Sequence, residues 1–131
     1  MILGFDPGRD KCGVAVMNAE GEIQEHQVVS ADNAIASIQS LSQKYPIKLI
    51  VMGNLTTAKS WRNKLQSHFP HFPIEMIDES NSTLEARDRY WQMYPPRGLK
   101  RLIPQGMRIP PRPIDDIVAI ILIERYLLTI N

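Results

Sequence analysis

Acidic residues stand at three places where the local pattern of this chain changes, and together they suggest one chemistry. Asp6 closes the apolar run Ile2-Leu3-Gly4-Phe5, Asp78 and Glu79 close Ile74-Glu75-Met76-Ile77, and Asp115 and Asp116 open a run that is apolar from Ile117 to Ile123. Carboxylates brought close together repel one another unless a cation neutralises them. Mg²⁺ and Mn²⁺ take oxygen ligands, and Mg²⁺ usually completes its shell with water and substrate phosphate. A pair of such ions could activate a water and stabilise the leaving oxygen of a phosphodiester. His26, His68 and His71 lie away from these junctions, and this chemistry does not require them.

Each acid also has a plain structural reading. Asp6 before Pro7-Gly8 is a turn former, and Asp78 can be another. Glu79 can be a solvated charge. Asp115 and Asp116 complement the positive end of a helix, which is the preferred reading for Asp116. Only a shared location would make a site of them.

The elements around these residues predict such a location. Ile2–Phe5, Gly13–Met17 and Glu22–Val29 read as three short strands with tight connections, the second and third joined through the hairpin loop Asn18-Ala19-Glu20-Gly21. Asp32 can cap a helix whose apolar positions Ile35, Ile38, Leu41 and Tyr45 recur at helical spacing, and Pro46 stops it. Lys48–Met52 is a continuous apolar run of the kind buried on both faces of a sheet. Trp61, Leu65 and Phe69 mark a second helix, Ile74–Ile77 a strand, and Ser82-Thr83-Leu84-Glu85 has the form of a capping box opening a helix to about Tyr94. Pro95-Pro96 breaks that helix. Arg97–Pro113 is rich in proline and basic residues, with at most a helical turn at Leu99–Leu102, and a largely buried helix closes the chain from about Ile114 to Leu128.

A meander followed by βα units predicts a five-stranded mixed α/β sheet flanked by helices. Its first strand is antiparallel to its hairpin partner and parallel to the two later strands. Parallel strands carry their carboxyl ends to one edge, where ligands prefer the switch point. Asp6 and the Asp78-Glu79 pair should meet there, and the first turn of the last helix would bring a third carboxylate.

The chain's 131 residues suit a single domain spanning 1–131. A hydrophobic fraction of 44% and a charged fraction of 22% argue against wholesale disorder. One cysteine, Cys12, rules out an internal disulfide and reads as a small buried apolar group. The longest apolar run is far short of the ~20 residues that span a bilayer. Strand-like sequence from Ile2 leaves no space for a signal peptide, so the expected location is cytoplasmic.

These stretches resemble the YqgF/RuvX family, relatives of the RuvC Holliday-junction resolvase in the ribonuclease-H-like superfamily. The likeness lies in Ile2-Leu3-Gly4-Phe5-Asp6-Pro7-Gly8 closed by Gly13-Val14-Ala15-Val16, in Glu75 to Thr83 with its Asp-Glu pair and hydroxyl residues, and in Ile114-Asp115-Asp116-Ile117-Val118-Ala119 with Tyr126-Leu127 further on. It spans nearly the whole chain in the family's order, and three short motifs in matching context are moderately specific. The resemblance implies a ribonuclease-H-like fold. It makes Asp6, Glu79 and Asp115 the catalytic metal ligands, with Asp78 and Asp116 as alternates, for Mg²⁺ or Mn²⁺, two ions with substrate bound. The chain departs from the family in having Asp10 where a basic residue is usual, Ser80 where an arginine follows the Asp-Glu pair, and Gly53-Asn54-Leu55-Thr56 in place of a glycine-leucine-proline segment. Those positions are expected to contact substrate rather than metal.

Net charge is only +1, but it is polarised. No acid lies between Asp88 and Asp115, where Arg89, Arg97, Lys100, Arg101, Arg108 and Arg112 fall. None lies from Asn33 to Ile74, a stretch holding Lys44, Lys48, Lys59, Arg62 and Lys64. The first group, with Arg9 and Lys11 after strand one, is the expected nucleic-acid contact set. Tyr90, Trp91 and Tyr94 could stack on unpaired bases, although the preferred reading places Trp91 and Tyr94 in the core.

The leading expectation is therefore a metal-dependent endonuclease acting on structured RNA, such as a ribosomal RNA precursor, or on branched DNA. The alternative is a non-catalytic RNA-binding or assembly factor on the same fold. A nucleotide-binding fold of the actin and sugar-kinase type also begins with an Asp-x-Gly turn, but needs two lobes. A homodimer would suit symmetric cutting of two strands.

Overall fold

Alternation along the central strands sorts the apolar side chains into two layers. In β1 (Ile2–Asp6), Leu3 and Phe5 face one side and Ile2 the other; in β2 (Lys11–Met17), Val14 and Val16 oppose Ala15 and Met17. Both sides are covered, because successive strand residues point to opposite faces and every one of these side chains is buried. In this computed structural model, which describes residues 1–55 and 57–130, the sheet order is β3-β2-β1-β4-β5. Of the segment Gly53–Thr56 considered above, Thr56 lies outside the described residues.

The strands β1, β2 and β3 (Ile23–Ser30) form the antiparallel meander. β4 (Leu49–Gly53) and β5 (Ile74–Ile77) add parallel to β1. The meander and the strand directions are those expected from the sequence. α1 (Ala34–Lys44) and α2 (Ala58–His68) contribute Ile38, Leu41 and Leu65 to one layer. α3 (Ser82–Met93) and α4 (Asp115–Thr129) form the other, in which α4 is buried continuously from Asp116 to Ile123. Cys12 is fully buried and donates weakly to the Gly8 carbonyl, as befits a small core residue.

Two helix starts differ from expectation. Asp32 lies in a 3₁₀ turn, Ala31–Asn33, and α1 begins after it at Ala34 with no side-chain cap. Ser82 is the first residue inside α3 rather than its cap. Asn81 caps the helix in the left-handed conformation (φ 59°), and the capping-box exchange with Glu85 is absent. Asn81 holds that conformation because the chain must turn sharply from Glu79 into the helix, closing with a Ser82 N–H to Glu79 carbonyl bond of 3.0 Å. Among the described residues no helix is long and apolar enough to cross a membrane.

Candidate active site

The register of the sheet sets the floor of the site. Asp6, the last residue of β1, pairs with Gly13 on β2. Gly13 in turn lies under the first turn of α4, where a Cβ would overlap the backbone carbonyl of Asp115. The missing side chain lets α4 press its N-terminus onto the sheet, so Asp115 arrives beside Asp6. On the other flank, β4 ends at Gly53, and a Cβ there would overlap the carboxylate of Glu79. Glu79 folds back over that bare backbone and accepts a 3.0 Å hydrogen bond from the Leu55 N–H.

Asp6, Glu79 and Asp115 thus line one open pocket of about 490 Å³, together with Pro7, Leu55 and the Ser80–Leu84 turn. Burial pushes the Asp6 carboxyl up to about 8; the negative charges of Glu79 and Asp115 and hydrogen bonds to both act in the same direction. Burial also raises the Glu79 carboxyl, against the lowering effect of the Leu55 N–H. Asp6 and Glu79 thus share a space that disfavours their charge. Among the described residues, no group of three or more His, Cys, Asp and Glu is already arranged to hold a metal ion. The trio is drawn together around Asp6 rather than spread about a formed cage.

The two alternates do not join them. Asp78, one residue before Glu79, is exposed and accepts bonds from the Ser80 hydroxyl (2.7 Å) and Ser80 N–H (3.1 Å), which hold its carboxyl below its ordinary value. It is a turn residue. Asp116 is 2% exposed and points the other way, bonded to His26 Nδ1 at 2.6 Å and to Arg112 at 3.0 Å. Burial works to raise its pKa, but the His26 and Arg112 bonds outweigh burial and hold it low. Successive residues on a helix are about 100° apart, so Asp115 and Asp116 cannot serve the same pocket.

The basic set also divides. Arg89 is tied to both oxygens of Glu124 (2.6 and 2.7 Å) and Arg112 to Asp116, while Arg108 binds the Lys100 and Ile103 carbonyls, pinning its own loop. These three have structural work. Arg9, Lys11, Arg97, Lys100 and Arg101 are exposed. Trp91 is in the core as expected, but Tyr94 is 42% exposed and its place there is taken by Tyr90. Arg125, which nothing in the sequence singled out, donates to the carbonyls of Asp78 (2.7 Å) and Ser80 (2.9 Å), clamping the turn behind Glu79.

A mixed sheet of this order, with acids at the carboxyl ends of β1 and β5 and at the start of the helix crossing them, defines a ribonuclease-H-like domain. The chain belongs to the RuvX family, described as Holliday junction resolvase and hence a nuclease family, whose model matches residues 1–129. Among its relatives are proteins named "Putative pre-16S rRNA nuclease" from Coxiella burnetii strains Dugway 5J108-111 and CbuG_Q212. Each is 26% identical over 146 residues, with 97% of this chain and 92% of the relative covered. A crystal structure titled as a putative sugar kinase from Cytophaga hutchinsonii superposes with a TM-score of 0.47 at 19% identity, covering 70% of this chain and 39% of that one.

Proposed function

We propose that the chain is a divalent-metal-dependent endonuclease that hydrolyses phosphodiester bonds in structured nucleic acid. The observation that carries this reading is the meeting of Asp6, Glu79 and Asp115 in one pocket, where burial and the two neighbouring carboxylates disfavour the charge of Asp6. The donor set fits Mg²⁺ or Mn²⁺ by its chemistry: all oxygen, no sulfur or imidazole, with an excess of negative charge for a cation to relieve. Asp6, Glu79 and Asp115 would hold such ions, two with substrate bound, which supply charge neutralisation at the phosphate and a readily ionised water.

The protein's own part is positioning. Asp6 is fixed by strand pairing and Glu79 by the Leu55 N–H, so neither carboxylate has to be organised when substrate arrives. Asn81, which caps α3, and Ser82 and Thr83 in its first turn border the same pocket and offer amide and hydroxyl donors to phosphate oxygens. Leu55 and Leu84, exposed at its rim, give apolar footing to sugars and bases. The names of the relatives and of the family favour a 16S ribosomal RNA precursor or a four-way DNA junction as substrate.

One observation favours the second reading, a non-catalytic RNA-binding factor: among the described residues, no lysine or arginine lines the acid pocket. The two readings part in a single digest. Labelled 16S precursor and four-way junction are incubated with the wild type and Asp6→Asn, with Mn²⁺ or with chelator. Cleavage by the wild type in Mn²⁺ alone, absent from folded Asp6→Asn, is the expected result. Equal cleavage by both proteins excludes the three-acid mechanism, and binding without cleavage by either selects the second reading.

A further inference from the structure

The peptide units around Glu79 are each tied by a donor from outside the turn. Arg125 reaches across from α4, donating from Nη1 to the Asp78 carbonyl at 2.7 Å and from Nη2 to the Ser80 carbonyl at 2.9 Å. Between these two, the Glu79 carbonyl accepts the Ser82 N–H at 3.0 Å. A carbonyl oxygen lies in the plane of its peptide unit, so a bond made to it restrains how that plane is turned. The dihedral angles of Glu79 relate the planes that carry the Asp78 and Glu79 carbonyls, and both planes are held. The backbone from which the Glu79 side chain projects is therefore set by the Arg125 fork on one side and the start of α3 on the other.

Glu79 needs that support. β5 ends at Ile77, so strand pairing does not hold Glu79 as it holds Asp6. The Asp78 carboxylate is engaged with Ser80 and turned away from the pocket. Yet the Glu79 carboxylate sits closely placed, in the space a Cβ on Gly53 would need, accepting the Leu55 N–H at 3.0 Å. Arg125 stands about three turns along the same helix from Asp115, and the buried run Asp116–Ile123 between them seats that helix on the sheet. One helix thus carries one acid of the trio and grips the segment that presents another. Arginine suits the task, because its planar fork can hold two carbonyls at once where a lysine ammonium cannot match that geometry. Arg125 does not itself line the acid pocket, so its influence there passes through Glu79.

We propose that Arg125 is a positioning residue of the acid site: by gripping the carbonyls of Asp78 and Ser80 together, it aims the Glu79 carboxylate at the place where Asp6 and Asp115 would hold a divalent cation, a role that rests on the metal reading above and deepens it.

The test uses the full chain without substrate. Mn²⁺ affinity is measured by calorimetric titration, and in metal-free protein the amide NMR signal of Leu55 reports whether the Glu79 carboxylate is still its acceptor. Arg125→Gln should weaken Mn²⁺ binding about tenfold to a hundredfold, the scale for losing a group that orients a metal ligand. It should also move the Leu55 signal toward its position in Glu79→Ala. Arg125→Lys keeps the charge without the fork and should show most of both effects. Glu85→Gln, which touches only the 3.4 Å contact of Arg125, should show neither. In a Glu79→Ala background, Arg125→Gln should cost no further Mn²⁺ affinity, because residues that act through one another are not additive. Melting curves establish that each variant is folded at the titration temperature; a merely stabilising Arg125 would lower those curves and leave the Leu55 signal and the Mn²⁺ affinity of folded protein where they were. An unmoved Leu55 signal or an unchanged Mn²⁺ affinity in folded Arg125→Gln overturns the role, as does an equal loss with and without Glu79. Failure of wild type to bind Mn²⁺ overturns the metal reading itself.

Discussion

Gly53 and Glu79 are in contact in a way that only glycine permits: the carboxylate occupies the space a Cβ on residue 53 would need. Gly53→Ala should therefore displace Glu79 and break its bond with the Leu55 N–H. We expect cleavage to fall by about tenfold to a hundredfold, the scale of an ångström-sized misplacement. The fold should survive, because Glu79 can swing toward the open pocket. Single-turnover cleavage beside a far-ultraviolet melting curve checks this; unchanged cleavage by folded Gly53→Ala would mean that Glu79 takes no part.

The Asp6 carboxyl links stability to pH. Its folded pKa of about 8 lies above the unfolded value of 3.8, so the folded state binds the proton more tightly and stability falls as pH rises from about 4 to about 8. In metal-free protein, Asp6→Asn should remove this slope and raise stability at pH 7.5 by at least ~1 kcal/mol. Mn²⁺ should raise the melting temperature of wild type and not of the variant. Parallel pH profiles for the two proteins would show that Asp6 carries no such strain.

Asp115 and Asp116 should separate cleanly in function. Asp115→Asn is expected to abolish cleavage with little change in denaturation midpoint. Asp116→Ala removes the partner of His26 and Arg112 and should cost about 1–3 kcal/mol, with activity per folded molecule retained. Because the Asp116 carboxyl is held low, its contribution is present above about pH 4 and is lost as pH falls through the folded pKa. Urea titrations at pH 7 and pH 3 measure both statements, and loss of cleavage by folded Asp116→Ala would reverse the assignment.

The exposed and committed cations make a further contrast. Lys100→Ala with Arg101→Ala should weaken nucleic-acid binding and flatten its dependence on salt by about two phosphate contacts, each worth a slope of roughly 0.7–0.9. Arg89→Ala, which breaks the half-buried pair with Glu124, should chiefly lower stability. A salt titration of binding for each protein distinguishes the two; equal slopes for Lys100→Ala/Arg101→Ala and wild type would place the strand elsewhere.

Much of this molecule was legible in the sequence because its signals are local and periodic. Alternation in Leu3, Phe5, Val14 and Val16, the continuous run at Ile50–Met52, and the helical spacing of Ile38 and Leu41 each arise from side chains choosing the buried face. The handedness of βα connections then left few ways to order the strands. Asp6 and an acid after β5 had to share an edge, since parallel strands end together.

Rotation and distance were decided only by the folded chain. Which of Asp78 and Glu79 turns inward depends on the bare backbone of Gly53, and which of Asp115 and Asp116 does depends on how α4 is rolled against Gly13. Glycine inside a strand signals a close approach without naming the partner. Asn81 rather than Ser82 caps α3 because the chain reverses at Glu79, a constraint no capping pattern contains. The basic stretch reads as uniform charge in one dimension, yet Arg108 binds carbonyls of its own loop, Arg112 binds Asp116 four residues on, and Arg89 on α3 reaches across to Glu124. Charge is a property of composition, but whether a charge is free is a property of what lies within about 3 Å of it, and that is fixed by packing.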